Sequence, residues 1–92
     1  MNKFKKHCVM KRVKRLMADV YVATSWVQYD AIFNKDRVND DLCYLDDVCV
    51  DSMFELTRLG LRYEELREEI YSIKDVIITD YTFIVTNYKK TY

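Results

Sequence analysis

Four side chains in this sequence could bind zinc or act in nucleophilic catalysis: His7, Cys8, Cys43 and Cys49. A structural zinc site usually takes its ligands in pairs separated by roughly two to five residues, because that spacing closes a chelate ring. A cysteine nucleophile needs a lowered thiol pKa in a cleft and a base oriented by a third group. Here one pair is adjacent and the other lies six residues apart. The sequence therefore predicts no metal, no cofactor and no catalytic residue, and we expect all three cysteines to be small buried side chains.

The first fifteen residues carry seven cations and no acid, a local charge of +7. The cations are Lys3, Lys5, Lys6, Lys11, Arg12, Lys14 and Arg15. Such a segment displaces counterions from a phosphate backbone and binds nucleic acid in a salt-dependent way. Its two arginines are few for reading bases, which favours phosphate contacts over sequence recognition. The alternatives are a solvated face that pairs with the protein's own acids, or contact with a membrane surface.

The middle of the chain is acidic, with six carboxylates and no cation between positions 40 and 55. These are Asp40, Asp41, Asp46, Asp47, Asp51 and Glu55. Asp47, Asp51 and Glu55 step by four and so share a helix face, where like charges repel unless a cation meets them. A row of carboxylates can take the place of phosphates on a basic protein. We therefore predict contacts with a basic partner protein, with an ordinary solvated face as the alternative. Calcium binding is not expected, because no loop has the ligand spacing of an EF-hand.

Thirteen aromatic residues are more than a core of this size can hide, so some must be exposed. Exposed Tyr and Trp side chains provide rigid contact area for a partner. We predict that Trp26 and Tyr29, together with the C-terminal tyrosines, contribute to a partner or dimer interface. The alternative is that these rings pack in the protein with their hydroxyls at its rim.

Only two segments contain the residues typical of turns, residues 34–40 and the single glycine, Gly60. They divide the chain into three long elements. Apolar residues at steps of three or four predict a first helix over residues 3–33. A second helix is predicted over residues 41–59, capped by Asp40 or Asp41 and ended by Gly60. A third is predicted from 62 to 75 or beyond, which gives a mainly α fold with one domain over residues 1–92.

Two segments nevertheless favour strands by composition. Residues 20–33 and 76–88 are rich in β-branched and aromatic side chains, which lower helix propensity and suit a pleated sheet. The C-terminal segment of the helical fold is therefore β-prone. The alternative fold is α+β, with residues 20–29 paired to residues 76–88.

Residues 56–70 contain a Leu59-Gly60 pair between two helix-forming segments, and this pattern resembles the helix, Leu-Gly, helix corner of MerR-type transcription regulators. The resemblance covers 15 of 92 residues. It implies two helices that meet near Gly60. No segment upstream resembles the DNA-contacting helix of that family, so its DNA-binding role is not implied for this chain.

Composition limits the class of protein. Ninety-two residues, half of them apolar, with 15 basic and 15 acidic side chains, predict one folded domain that is too small to enclose a deep substrate cleft. No stretch approaches the roughly 18 to 20 apolar residues of a membrane span, and no apolar region follows the basic N-terminus as in a secretory signal. The odd number of cysteines argues against a disulfide framework, so we expect a cytoplasmic protein.

Size, charge segregation and the lack of a catalytic motif predict a non-enzymatic protein-binding or regulatory module. Its most specific form is a stoichiometric inhibitor of nucleic-acid-handling machinery, of the kind that phages encode, acting through the acidic helix. The alternative is a nucleic-acid-binding regulator that uses the basic N-terminal helix. A homodimer would suit either function, because a single small core is marginally stable.

Overall fold

The computed structural model describes residues 1–88, which form three α-helices and no strand. The helices are α1 (Lys3–Phe33), α2 (Val38–Arg62) and α3 (Arg67–Tyr88). Short 3₁₀ turns at Lys35–Arg37 and Glu64–Leu66 join them, so consecutive helices run antiparallel. The result is a rod of 48 × 18 × 15 Å, and α1 spans its length at about 1.5 Å per residue. The mainly helical prediction is confirmed.

The first helix has the predicted bounds, and both of its ends are capped by asparagine. The Asn2 side chain accepts a hydrogen bond from the Lys5 backbone N–H at 2.8 Å. At the other end Asn34 donates its backbone N–H to the Asp30 carbonyl, also at 2.8 Å. The strand-like composition of residues 20–33 is overridden because Val20, Ala23 and Val27 recur at helical spacing and are buried.

The predicted bounds of the second helix and the predicted start of the third were wrong. No Asp40 or Asp41 cap begins α2, which starts earlier, at Val38. Gly60 does not end α2, which continues to Arg62. The chain breaks instead at Tyr63, whose φ of −112° and ψ of 78° leave the helical region, and α3 begins only at Arg67.

The α+β alternative is also wrong for the described residues, since the segments 20–29 and 76–88 both lie within helices. In α3 the β-branched residues Ile70, Ile77 and Ile84 are spaced seven apart and all are buried, which places them on the side that faces the other helices. Packing of this stripe decides the structure against local propensity. Residues 89–92 lie outside the described residues.

The core runs along the axis of the bundle and takes residues from all three helices. Its largest fully buried side chains are Leu45, Leu56, Leu66, Ile70, Ile77, Val13 and Val27. Val9 and Val13 come from the basic segment of α1, so the first fifteen residues are part of the folded domain and not a detachable arm.

Gly60 serves the packing of α2 against α3. A Cβ built at this position would lie 2.3 Å from Cε1 of the Tyr71 ring, which is closer than two carbon atoms can approach. The Gly60 carbonyl also accepts a hydrogen bond from Nε of Arg67 at 2.9 Å. Glycine at this position therefore allows the close approach of Tyr71 and does not form a turn.

We expect Gly60→Val to lower the free energy of unfolding by about 1.5 kcal/mol, because the added side chain must displace the Tyr71 ring. Urea unfolding followed by circular dichroism measures this loss. The same substitution in a Tyr71→Ala background removes the clash and should cost less than about 0.5 kcal/mol. Equal losses in the two backgrounds would show that the Tyr71 contact is not the reason for glycine.

Candidate functional site

The C-terminal half of α1 is apolar on its outer face as well as on its buried face. Val22, Trp26, Tyr29 and Phe33 follow steps of four, three and four, and each is at least half exposed. The Trp26 and Tyr29 rings meet edge to face at 5.9 Å between centroids, and the Tyr29 and Phe33 rings lie 4.7 Å apart. We call these four residues the aromatic stripe. An exposed apolar stripe of this kind is normally an interaction surface, and within residues 1–88 nothing covers this one.

A second stripe with the same spacing lies beside it on α2. It consists of Asp40, Tyr44, Asp47 and Asp51, all of them exposed. Because α1 and α2 are antiparallel and joined by a short turn, the two stripes start at the same end of the bundle and run along it together. A groove of about 570 Å³ between the helices is lined by Val22 of the aromatic stripe and by Tyr44 and Asp51 of the second. We call the two stripes together the aromatic–acidic face.

The predicted acidic site residues divide into two groups in the structure. Asp40, Asp47 and Asp51 are exposed, and within the described residues none of them is in an ion pair. Asp41, Asp46 and Glu55 are instead held by other groups of the protein. The available negative charge of α2 is therefore concentrated on the aromatic–acidic face, beside the predicted Trp26 and Tyr29.

Glu55 and Asp46 are each bound to a side chain of another helix. The Glu55 carboxylate lies 2.5 Å from Arg12 of α1 and 2.7 Å from Arg58 one turn along α2, and these hydrogen bonds and charges lower its pKa. Tyr81 of α3 donates its hydroxyl to Asp46, and this bond to a carboxylate raises the pKa of Tyr81 to about 12. Both carboxylates therefore connect helices of the bundle.

Asp30 and Asp41 form a carboxyl pair where α1 ends and α2 begins. Asp30 is buried and also accepts a hydrogen bond from the Asn34 side chain at 3.1 Å. Burial, followed by the hydrogen bond to Asp30 and the charge of Asp30, raises the pKa of Asp41 to about 6. The same hydrogen bond lowers the pKa of Asp30. The pair thus shares one proton below about pH 6, with Asp41 as the donor.

The cations of the basic segment, residues 1–15, also divide into a group with partners in the protein and a group without ion pairs. The terminal amine of Met1 pairs with Glu65 at 3.1 Å, Lys6 lies 3.9 Å from Glu69, and Lys5 lies over the Tyr63 ring. Arg12 is bound to Glu55, as described above. Lys3, Lys11, Lys14 and Arg15 are exposed and form no ion pair within the described residues. These four cations lie in the N-terminal half of α1, whereas the aromatic stripe lies in its C-terminal half.

The thiols and other potential metal ligands are dispersed. Cys49 is buried, and burial raises its thiol pKa, whereas Cys8 and Cys43 are exposed, so the expectation of three buried cysteines was wrong. Among residues 1–88 no three His, Cys, Asp or Glu side chains are grouped to hold a metal ion. None of the described helices is long and apolar enough to cross a membrane.

Comparison of the chain with protein-family models, with curated proteins and with solved structures gives no significant match. Function must therefore be inferred from the geometry of this molecule.

Proposed function

We propose that the protein is a non-enzymatic protein-binding module whose aromatic–acidic face takes a cationic amphipathic helix from a partner. The observation that carries this proposal is the adjacency of two exposed stripes with the same spacing, one apolar and one acidic. Rigid rings give contact area at a small cost in side-chain entropy, and unpaired carboxylates beside them select for a basic partner.

The chemistry of the face specifies the partner's pattern. A helix laid along the aromatic–acidic face would place apolar side chains, spaced by three or four residues, against the aromatic stripe. Its Lys or Arg side chains on the adjoining flank would meet Asp40, Asp47 and Asp51. Stoichiometric inhibition of nucleic-acid-handling machinery is the specific form of this function, because the acidic stripe would cover a basic surface that otherwise contacts phosphates. The free exposed thiols of Cys8 and Cys43 suit a reducing compartment, so the proposal includes a cytoplasmic location.

We expect two substitutions in the face, Trp26→Ala and Asp47→Lys, each to weaken binding of an amphipathic leucine–lysine peptide by about tenfold. The first removes the largest ring of the aromatic stripe and the second repels the peptide's cations. Isothermal titration calorimetry measures both effects. Glu68→Lys on α3 is the matched control, since Glu68 is equally exposed and the change in net charge is the same.

The control variant should bind within about threefold of the unchanged protein. A peptide in which glutamate replaces lysine keeps the apolar pattern and should not bind. Equal weakening by Asp47→Lys and Glu68→Lys would mean that only net charge matters, and the assignment of the face would then be wrong.

The four unpaired cations of α1 favour one second candidate, a nucleic-acid-binding regulator. Lys3, Lys11, Lys14 and Arg15 could contact phosphates without disturbing the fold. Deleting residues 1–15 would not test this candidate, because it would remove the core residues Val9 and Val13. Replacing the four cations with glutamine is the suitable variant, and loss of salt-dependent DNA binding, measured by fluorescence anisotropy, would support the candidate.

A further inference from the structure

A second apolar surface lies on the opposite flank of α2, in an open groove of about 720 Å³ beside α3. The side chains of Cys49, Met53 and Tyr81 line this groove. Its α2 edge is formed by Val50, Phe54 and Leu61, which are 52%, 74% and 65% exposed. The core is complete without these three side chains, so the bundle does not account for their apolar character.

The residues along this edge of α2 have the same spacing when they are counted in either direction along the helix. Val50, Phe54, Thr57 and Leu61 follow steps of four, three and four, and all four line the groove. A second α2 that runs antiparallel about a twofold axis between Phe54 and Thr57 would place Val50 opposite Leu61 and Phe54 opposite Thr57. A twofold interface requires this kind of self-complementary patch, and the four-three-four spacing is that of a helical seam.

The charges along α2 favour the same arrangement. Asp47 and Asp51 precede the middle of the seam, whereas Arg58 and Arg62 follow it, and all four are exposed. Antiparallel pairing brings Asp51 of each copy within reach of Arg58 of the other, whose Nη2 also holds Glu55 on its own helix. Parallel pairing would set like charges against each other.

We infer that two copies of this chain associate through the groove between α2 and α3, as an antiparallel twofold dimer with α2 against α2. The inference goes beyond the proposed function, because it uses the flank of α2 turned away from the aromatic stripe. Asp51 lies on the edge between the two surfaces, since it lines both grooves. Each protomer of the dimer keeps its aromatic stripe, Asp40 and Asp47 open to a partner.

Sedimentation velocity of the full chain over a range of concentrations tests the dimer. We expect the unchanged protein to dimerise and Phe54→Glu to raise the dimer dissociation constant at least about tenfold, with an unchanged helical circular dichroism spectrum. Phe83→Glu is the control, because Phe83 is 63% exposed on α3 and does not line the groove. It should leave the dissociation constant unchanged.

A charge exchange tests the orientation. Asp51→Arg and Arg58→Asp should each weaken the dimer, and an equimolar mixture of the two variants should restore it, because both cross-interface pairs are again of opposite sign. A monomer at every concentration, equal effects of Phe54→Glu and Phe83→Glu, or an unrestored mixture would overturn the inference. Binding of a leucine–lysine peptide in this groove of a monomeric protein would also overturn the inference. No peptide is present in the sedimentation experiment, so its result is independent of the proposed function.

Discussion

Asp41→Asn should raise the free energy of unfolding by about 2 kcal/mol near pH 8 and leave it nearly unchanged near pH 4. The raised pKa of Asp41, about 6, means that the folded protein holds this proton more tightly than the unfolded chain does. The resulting stabilisation is fully present below the unfolded pKa of about 3.9 and is lost as the pH rises through about 6. Above that pH two carboxylates face each other at a buried site, and an asparagine amide relieves the repulsion by donating to Asp30.

The measurement is urea unfolding of both proteins at several pH values between about 4 and 8. Asp30 acts in the opposite sense, because its pKa is lowered, but its contribution is lost only below about pH 4. Asp40→Asn is the matched control, since Asp40 is the exposed neighbour of Asp41 and its substitution should shift stability by less than about 0.5 kcal/mol. A constant difference between the Asp41→Asn and unchanged proteins across the pH range would contradict the shared proton.

Leu56→Ala should lower the free energy of unfolding by about 3 kcal/mol, the largest loss that we expect from a single substitution described here. Leu56 lies in α2 and is fully buried in the core. Replacing its isobutyl group with a methyl group leaves a cavity that the surrounding helices fill only in part. A domain of this size has a total stability of roughly 5 to 10 kcal/mol, so the melting temperature should fall by more than about 10 °C.

Ile32→Ala deletes the same number of carbon atoms from a side chain that is 71% exposed, and it should change the free energy of unfolding by less than about 0.7 kcal/mol, because little buried area is lost and alanine has the higher helix propensity. Thermal unfolding followed by circular dichroism compares the two variants. Similar losses for Leu56→Ala and Ile32→Ala would place Leu56 outside the core and would contradict the helix register of α2.

The sequence was sufficient to predict the helices where local signals agree with packing. The limits of α1 follow from one apolar stripe and from the turn-forming segment that begins at residue 34, both of which are local features of the sequence. The end of α2 could not be predicted from the sequence. Glycine is the residue that most often ends a helix, but Gly60 lies within α2, where it allows the close approach of Tyr71 on another helix. A glycine needed for close approach and a glycine that ends a helix look the same until the packing is known.

The candidate site was predicted in part for the same reason. Sequence alone indicated Trp26, Tyr29 and the acidic row, but only the fold shows that Glu55 is held by Arg12, forty-three positions away. Val22, Phe33 and Tyr44 were missed. The four-three-four spacing of the aromatic stripe is visible in the sequence as a second apolar stripe on α1, opposite the buried one. Its adjacency to the acidic stripe depends on how α1 and α2 pack.

The measurement that tests the central claim most directly is nuclear magnetic resonance mapping of the isotope-labelled full chain, titrated separately with the leucine–lysine peptide and with duplex DNA. The protein has one tryptophan, so the Trp26 indole signal reports on the aromatic stripe without ambiguity. We predict that the peptide shifts the Trp26 indole and the backbone signals of residues 22–33 and 40–51, while the signals of α3 stay in place. Peptide-induced shifts elsewhere, or no response to the peptide while DNA shifts residues 3–15, would contradict a protein-binding face and favour the nucleic-acid-binding regulator.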